Sequence, residues 1–354
     1  MFEALLDYYG ESAVLLMAGG LVGILFGAAA QHSRFCLRAA TVEVAQGHLG
    51  PRLSIWLVAF GAGVFFVQAA ISMDWLDVSE ARQLASVGSM SGALIGGAMF
   101  GVGMILARGC ASRLLVLSAT GNLRAIVTGL VLTLVAQASL RGALSPLREN
   151  LAGLWTVPGG PDRDLLDLMG LNSTGVAVIA AITFGLALVW ARRNAVSSSQ
   201  TIAAATVGFV VGLGWLLTYL IAESSFEVVA ISSVTFTGPS ADTLMGLINS
   251  PNLPLGFGIG LVPGVFLGAG VMALVSREAK IERFGPDTPM EFYLIGATFM
   301  GFGSMLAGGC AVGAGMSGGA IFSLTAWVAI FAMWASAMLT TYLMTNYASR
   351  KAVA

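Results

Sequence analysis

The chain has 354 residues, of which 57% are hydrophobic and only 10% charged, with a mean hydropathy of +0.86 and a formal net charge of −1. Soluble domains carry about 25% charged residues, so this chain cannot cover itself with a polar surface and is predicted to be a polytopic membrane protein. A near-zero net charge gives no basis for nucleic-acid binding, and the placement of the charges carries the information instead.

The first residues, MFEALLDYYGES, hold Glu3, Asp7 and Glu11 and no base, the reverse of a secretory n-region. Apolar segments then follow near 12–31, 53–73, 86–107, 123–144, 174–191, 200–222, 255–275, 290–307 and 321–345. About 18 or more mostly apolar residues can cross a bilayer, so these are predicted spans 1 to 9 of an all-α protein. Four stretches between them, 32–48, 108–120, 225–248 and 308–320, are too short to cross and too apolar for ordinary loops. They are predicted as short re-entrant helices, which membranes tolerate where protein buries them or a cavity lies beside them.

Basic residues test this count. With nine spans, thirteen of the seventeen Lys and Arg fall at the connections after spans 1, 3, 5, 7 and 9. The other side keeps Arg82, Arg141, Arg148 and Arg163. Cytoplasmic loops carry the excess of Lys and Arg, so the N-terminus is expected outside and the C-terminus in the cytoplasm. No Asp, Glu or Lys lies deep in a span, which argues against a proton or sodium site built from charged side chains. His32 and His48 read as cytoplasmic-edge residues.

One sentence of sequence is written twice. LIGGAMFGVGMILARGCA, from Leu94 to Ala111, matches LIGATFMGFGSMLAGGCA, from Leu294 to Ala311, at ten of eighteen positions without a gap. Span 3 and span 8 run in opposite directions, so the copies form an inverted repeat of the kind that builds transporters. Half one is expected at about 12–144, half two at about 200–345, with span 174–191 connecting them in a single transmembrane domain. Gly19 and Gly23 in span 1 answer Gly208 and Gly212 in span 6, and the plainest reading of such glycines is close helix packing.

Packing does not explain why both copies end on cysteine. The three cysteines of the chain, Cys36, Cys110 and Cys310, all lie at turns between a glycine-rich span and a short re-entrant stretch. A thiol is a soft, weak hydrogen-bond donor suited to a sulfur-bearing partner, and no CxxC pair is present for redox work. Arg34 and Arg38 flank Cys36, and Arg108 and Arg113 flank Cys110. Arg34, Arg108 and Arg113 are candidate anion contacts. Beside Cys310 the sequence AGGCAVGAGMSGG has no charge, so backbone amides and Ser317 are the candidates there. The residues indicate neither a cofactor nor a metal site.

SRFCLRA together with MILARGCASR, SMLAGGCAVGAG and TFTGPSADTL resembles the YeeE/YedE family of bacterial sulfur-compound transporters. The resemblance implies nine spans with short re-entrant helices, an hourglass-shaped interior and uptake of thiosulfate across the bacterial inner membrane. It also implies that Cys36, Cys110 and Cys310 line the path and hydrogen-bond the passing anion. A separate soluble sulfur carrier of the YeeD/TusA type is the partner it implies. Selenium compounds or another sulfur oxyanion are alternative substrates, and a membrane sulfurtransferase acting through Cys110 is the alternative activity.

Overall fold

The computed structural model describes residues 2–249, 253–283 and 290–353. Among them nine helices are long and apolar enough to cross a bilayer. They begin with span 1 (Glu11–Ser33), span 2 (Pro51–Ser72), span 3 (Met90–Leu106) and span 4 (Leu123–Arg141). Span 5 (Ser173–Arg193), span 6 (Ser198–Ser224), span 7 (Phe257–Val275), span 8 (Met290–Leu306) and span 9, within Leu324–Val353, complete the set. The only strands described are a two-residue pair, Gly88–Ser89 against Thr156–Val157. The protein is an all-α, multi-pass membrane protein.

Each of the four apolar stretches between spans contains a short helix: Leu37–Ala45, Ala111–Ala119, Thr237–Asn249 and Ala311–Gly318. Two of them differ from a plain helical expectation. The stretch 225–248 is irregular up to Phe236, where β-branched residues such as Val229, Ile231 and Val234 disfavour a helix, and turns helical only at Thr237. Ala311–Gly318 is wound as a π-helix, a form often found at functional sites, and all eight of its residues are buried.

Glycines set how the spans meet. A Cβ added to Gly96 would lie 2.5 Å from the Gly303 carbonyl oxygen, and one on Gly103 would lie 2.6 Å from that of Gly296. Spans 3 and 8, which carry the repeated sentence, therefore cross antiparallel at backbone contact. Gly101 turns instead to Met333 of span 9, and its aligned partner Gly301 turns to Leu132 of span 4. Spans 1 and 7 run parallel, Gly19 beside Leu261, Gly23 beside Gly264 and Gly27 beside Ala269. Spans 2 and 6 also run parallel, Gly208 lying on Gly63 and Gly212 on Phe66. Those directions are the ones nine successive crossings require. The glycine pairs named in the sequence are thus close-packing positions, and at Gly19, Gly23 and Gly208 a side chain would force backbones apart.

These contacts come in matched sets: span 1 with span 7 and span 6 with span 2, span 3 with span 9 and span 8 with span 4. The short helices follow suit. The one after span 1 packs on span 9, and the one after span 6 packs on span 4.

Candidate functional site

All three cysteines sit in the same local design. Span 1 closes with Arg34 in the left-handed region (φ 55), and the Phe35 N–H reaches back to the Ala30 carbonyl at 3.2 Å. Span 3 closes with Arg108 (φ 54) and a Gly109 N–H to Met104 bond of 3.1 Å. Span 8 closes with Gly308 (φ 80) and a Gly309 N–H to Ser304 bond of 2.9 Å. This is the six-to-one bond of a Schellman end, whose left-handed position favours glycine. Two of the three turns hold arginine there at some conformational cost. The next residue but one is in each case the cysteine, at the N-cap of the short helix. Each thiol therefore lies at the amino end of a helix, where peptide N–H groups and the helix dipole favour negative charge.

The thiols are all free, Cys36 half-buried and Cys110 and Cys310 only 1% exposed. Cys36 and Cys110 come from different spans yet are close enough to interact. The Cys110 sulfur also lies 3.3 Å from the Ser112 hydroxyl. Cys310 belongs to the opposite end of the bundle, because the antiparallel crossing puts the carboxyl ends of spans 3 and 8 on opposite faces.

At the Cys36 end lies an open vestibule of about 630 Å³. Arg34, Arg108 and Arg113 line it together with Arg38 and Arg52, and Cys36 opens into it. Three carboxylates line it as well, Glu43, Glu278 and Glu282. Arg34 Nη2 donates to Glu278 at 2.8 Å, and this bond holds the Glu278 carboxyl below its ordinary range. The flanking arginines of the sequence are thus brought to one cavity, and the acids among them came without a sequence signal.

At the Cys310 end a smaller cavity of about 230 Å³ is lined by Met305–Gly308 and Ala314, which bracket Cys310 in the chain. Ser317 is not in its wall: its hydroxyl donates to the Val234 carbonyl at 2.6 Å, and its own carbonyl accepts from Trp215 Nε1 at 3.2 Å. The charge at this mouth arrives from distant loops. Arg82, Arg148 and Arg163 line the cavity and no Asp or Glu does. Arg82 Nη2 reaches the Gly308 carbonyl at 3.3 Å, while Arg148 pairs with Glu149 at 3.0 Å.

Arg163 is the most confined of the three, 6% exposed. Its Nη1 donates to the Ser86 carbonyl at 2.5 Å and its Nη2 to the Thr325 hydroxyl at 2.7 Å. Nε is buried without a partner, and no carboxylate pairs with this side chain among the described residues. Burial, then the charge of Arg82, lowers its pKa to about 10, so it is still a cation at neutral pH. Sequence reading missed this group. Its one signal was four bases on the side that the positive-inside bias leaves poor in them.

Nine membrane-length helices with arginine-lined cavities beside the Cys36 turn and near the Cys310 turn suit a membrane transport protein. The family described as sulphur transport matches residues 32–339, and the chain belongs to that family. It is 28% identical over 336 residues to a thiosulfate transporter TsuA of Spirochaeta thermophila, covering 89% of this chain and 94% of that protein. It is 24% identical over 364 residues to a thiosulfate transporter TsuA of Escherichia coli, covering 96% and 97%.

Proposed function

We propose that the protein takes up thiosulfate across the bacterial inner membrane, with the N-terminus and the Cys310 mouth outside and the C-terminus and the Cys36 mouth in the cytoplasm. The observation that carries this reading is the pair of arginine-lined vestibules at opposite ends of three thiol turns. The asymmetry of basic residues supports this orientation. Thiosulfate is a divalent anion with a soft terminal sulfur. Arg82 and Arg163 offer it charge outside, and Cys310, Cys110 and Cys36 then offer weak S–H donors in succession. Weak contacts suit passage, because a site on a path must release what it binds.

In this reading residues 12–144 and 200–345 are the two inverted halves, and the short helices are re-entrant elements that set the thiols at the waist. Cys110 and Cys310 are closed to solvent, and Met104 and Met300 are wholly buried, so the waist must open for each ion. Flexible methionines are suited to yielding in this way. Backbone amides at the amino ends of the short helices, with Arg34, Arg108 and Arg113 below, take the place of water around the oxyanion. A soluble sulfur carrier of the YeeD/TusA type would receive the substrate at the cytoplasmic vestibule.

The test is growth of a sulfate-uptake-deficient bacterium on thiosulfate as sole sulfur source. Growth is expected with the protein and is expected to fail with Cys110→Ala at matched membrane levels. Growth with the Cys36, Cys110 and Cys310 triple alanine variant would overturn the thiol path. If selenium analogues or another sulfur oxyanion outcompete thiosulfate in uptake, the substrate assignment passes to them.

A further inference from the structure

The cytoplasmic vestibule holds a negative charge that the transport reading leaves without a task. After span 7 the chain turns at Arg277 (φ 55) and runs back over the first half of the molecule. Backbone bonds pin it there. Lys280 N–H donates to the Thr120 carbonyl and Glu282 N–H to that of Gly121, each at 3.1 Å, and Leu123 N–H donates to the Glu282 carbonyl at 3.1 Å. Gly121 is left-handed (φ 98), and a Cβ there would lie 2.9 Å from the Lys280 carbonyl oxygen, so the seat of this strap depends on glycine.

The strap places one carboxylate between two cysteine turns. Glu278 Oε1 accepts from Arg34 Nη2 at 2.8 Å, and Oε2 accepts from Gln31 Nε2 at 2.8 Å. Gln31 Oε1 in turn accepts from Arg113 Nη1 at 3.4 Å. Glu278 thus holds the Cys36 turn directly and the short helix after Cys110 through Gln31. Glu282, on the same strap, is spent at the wall on Asn122 and Arg124.

Arg34 and Glu278 are 49% and 35% exposed, and an ion pair so exposed contributes little to stability. A fork that accepts a carboxylate also accepts an oxyanion, since both offer two oxygens to the guanidinium. We infer that Glu278 is a tethered competitor of the departing anion: it occupies Arg34 when the vestibule is empty, yields as thiosulfate passes Cys36, and reclaims the arginine to expel it. The inference rests on the reading of this vestibule as the exit, and it names Glu278 as the residue that keeps exit affinity low.

The experiment uses inside-out membrane vesicles carrying the full chain. A membrane-impermeant maleimide labels Cys36 at graded thiosulfate concentrations and fixed ionic strength. Labelling is read at the Cys36 peptide by mass spectrometry and normalised to the rate without thiosulfate. Glu278→Gln, which keeps the shape and the contact with Gln31, is expected to lower the half-protecting concentration about fivefold, the worth of one partly exposed charge. Glu278→Asp is expected to stay near the wild-type value, and Glu282→Gln, which removes the same charge from the same strap, is expected to shift it by less than about twofold. Equal half-protection in wild type and Glu278→Gln overturns the competitor, as does an equal shift in Glu282→Gln, which would mark bulk electrostatics. Thiosulfate that protects Cys36 in neither protein overturns the exit path itself, a different result from equal protection.

Discussion

The two arginine-lined cavities of the molecule, one beside Cys36 and one near Cys310, differ in their acids. The cavity near Cys310 has three arginines and no acid in its wall, and the most buried of them, Arg163, is fixed by Ser86 and Thr325 with its Nε–H left without a partner. The inner vestibule has five arginines interleaved with Glu43, Glu278 and Glu282, and the arginine nearest Cys36 in sequence on its span side, Arg34, is already paired. Formal charge is alike in sign, but the most buried arginine near Cys310, Arg163, has no carboxylate partner among the described residues, whereas Arg34 beside Cys36 has Glu278. Preorganised, unpaired donors in a small cavity bind and focus anions, whereas donors already satisfied release them. In the proposed reading, Arg163, whose Nε has no partner, would capture the anion outside, and Arg34, held by Glu278, would release it inside.

The largest break in this comparison comes from Arg163→Met. The concentration of thiosulfate for half-maximal uptake is expected to rise about tenfold or more, the low end of what a hydrogen bond to a charged group is worth. The maximal rate, normalised to protein in the membrane, is expected to change far less. An unchanged half-maximal concentration would remove Arg163 from capture. Gly88→Ala tests the same group without touching it. The added Cβ would lie 2.5 Å from Arg163 Nε and 2.9 Å from the Thr325 methyl, so the guanidinium must leave its seat. A rise of about three- to fivefold is expected in the same assay, part of that hydrogen bond's worth.

The arginine cluster beside Cys36 was legible in the sequence and the one near Cys310 was not, for a physical reason. Spans, short helices and cysteine turns are local: apolar length, glycine spacing and a cysteine at a helix start can be read within some twenty residues. Predicted span 2 at 53–73 is found at Pro51–Ser72, and the arginines meet in one cavity because Arg34 lies beside the Cys36 turn and Arg108 and Arg113 beside the Cys110 turn. The outer site is assembled across distance. Arg82 and Arg163 come from the loops after spans 2 and 4 to a turn at Gly308, and Thr325, which holds Arg163, starts span 9. Nothing local marks such a site. Ser317 shows the converse, a suggestive hydroxyl near a cysteine whose hydrogen is spent on Val234 once the 225–236 segment folds over it. Glu278 fell between these cases, close to a span end but informative only once Arg34 was beside it.

Arg34→Gln probes the inner mouth from the arginine side. It removes the exit contact and frees Glu278 together, so the outer half-maximal concentration is expected to stay constant while the maximal rate falls about twofold, in the range of an exposed pair. A shift in half-maximal concentration equal to that of Arg163→Met would erase the distinction between the mouths.

The smallest effect expected is none, and it is informative. The hydrogen bond from Arg34, opposed in part by burial and aided by the contact with Gln31, lowers the Glu278 pKa below its ordinary 4.5. A carboxyl with a depressed pKa stays ionised at all pH above that value and loses its pairing only as pH falls through it. Between about pH 5.5 and 8 the competitor is therefore always charged, and the ratio of Glu278→Gln to wild-type half-protection at Cys36 is expected to be flat. A ratio that slopes across this window would transfer control of the exit to an imidazole. The chain has two, His32 and His48, which flank the Cys36 turn in sequence, and His32 already holds the Ser199 hydroxyl at the start of span 6. A flat ratio leaves the fixed negative charge of the strap as the element that separates this mouth from the outer one.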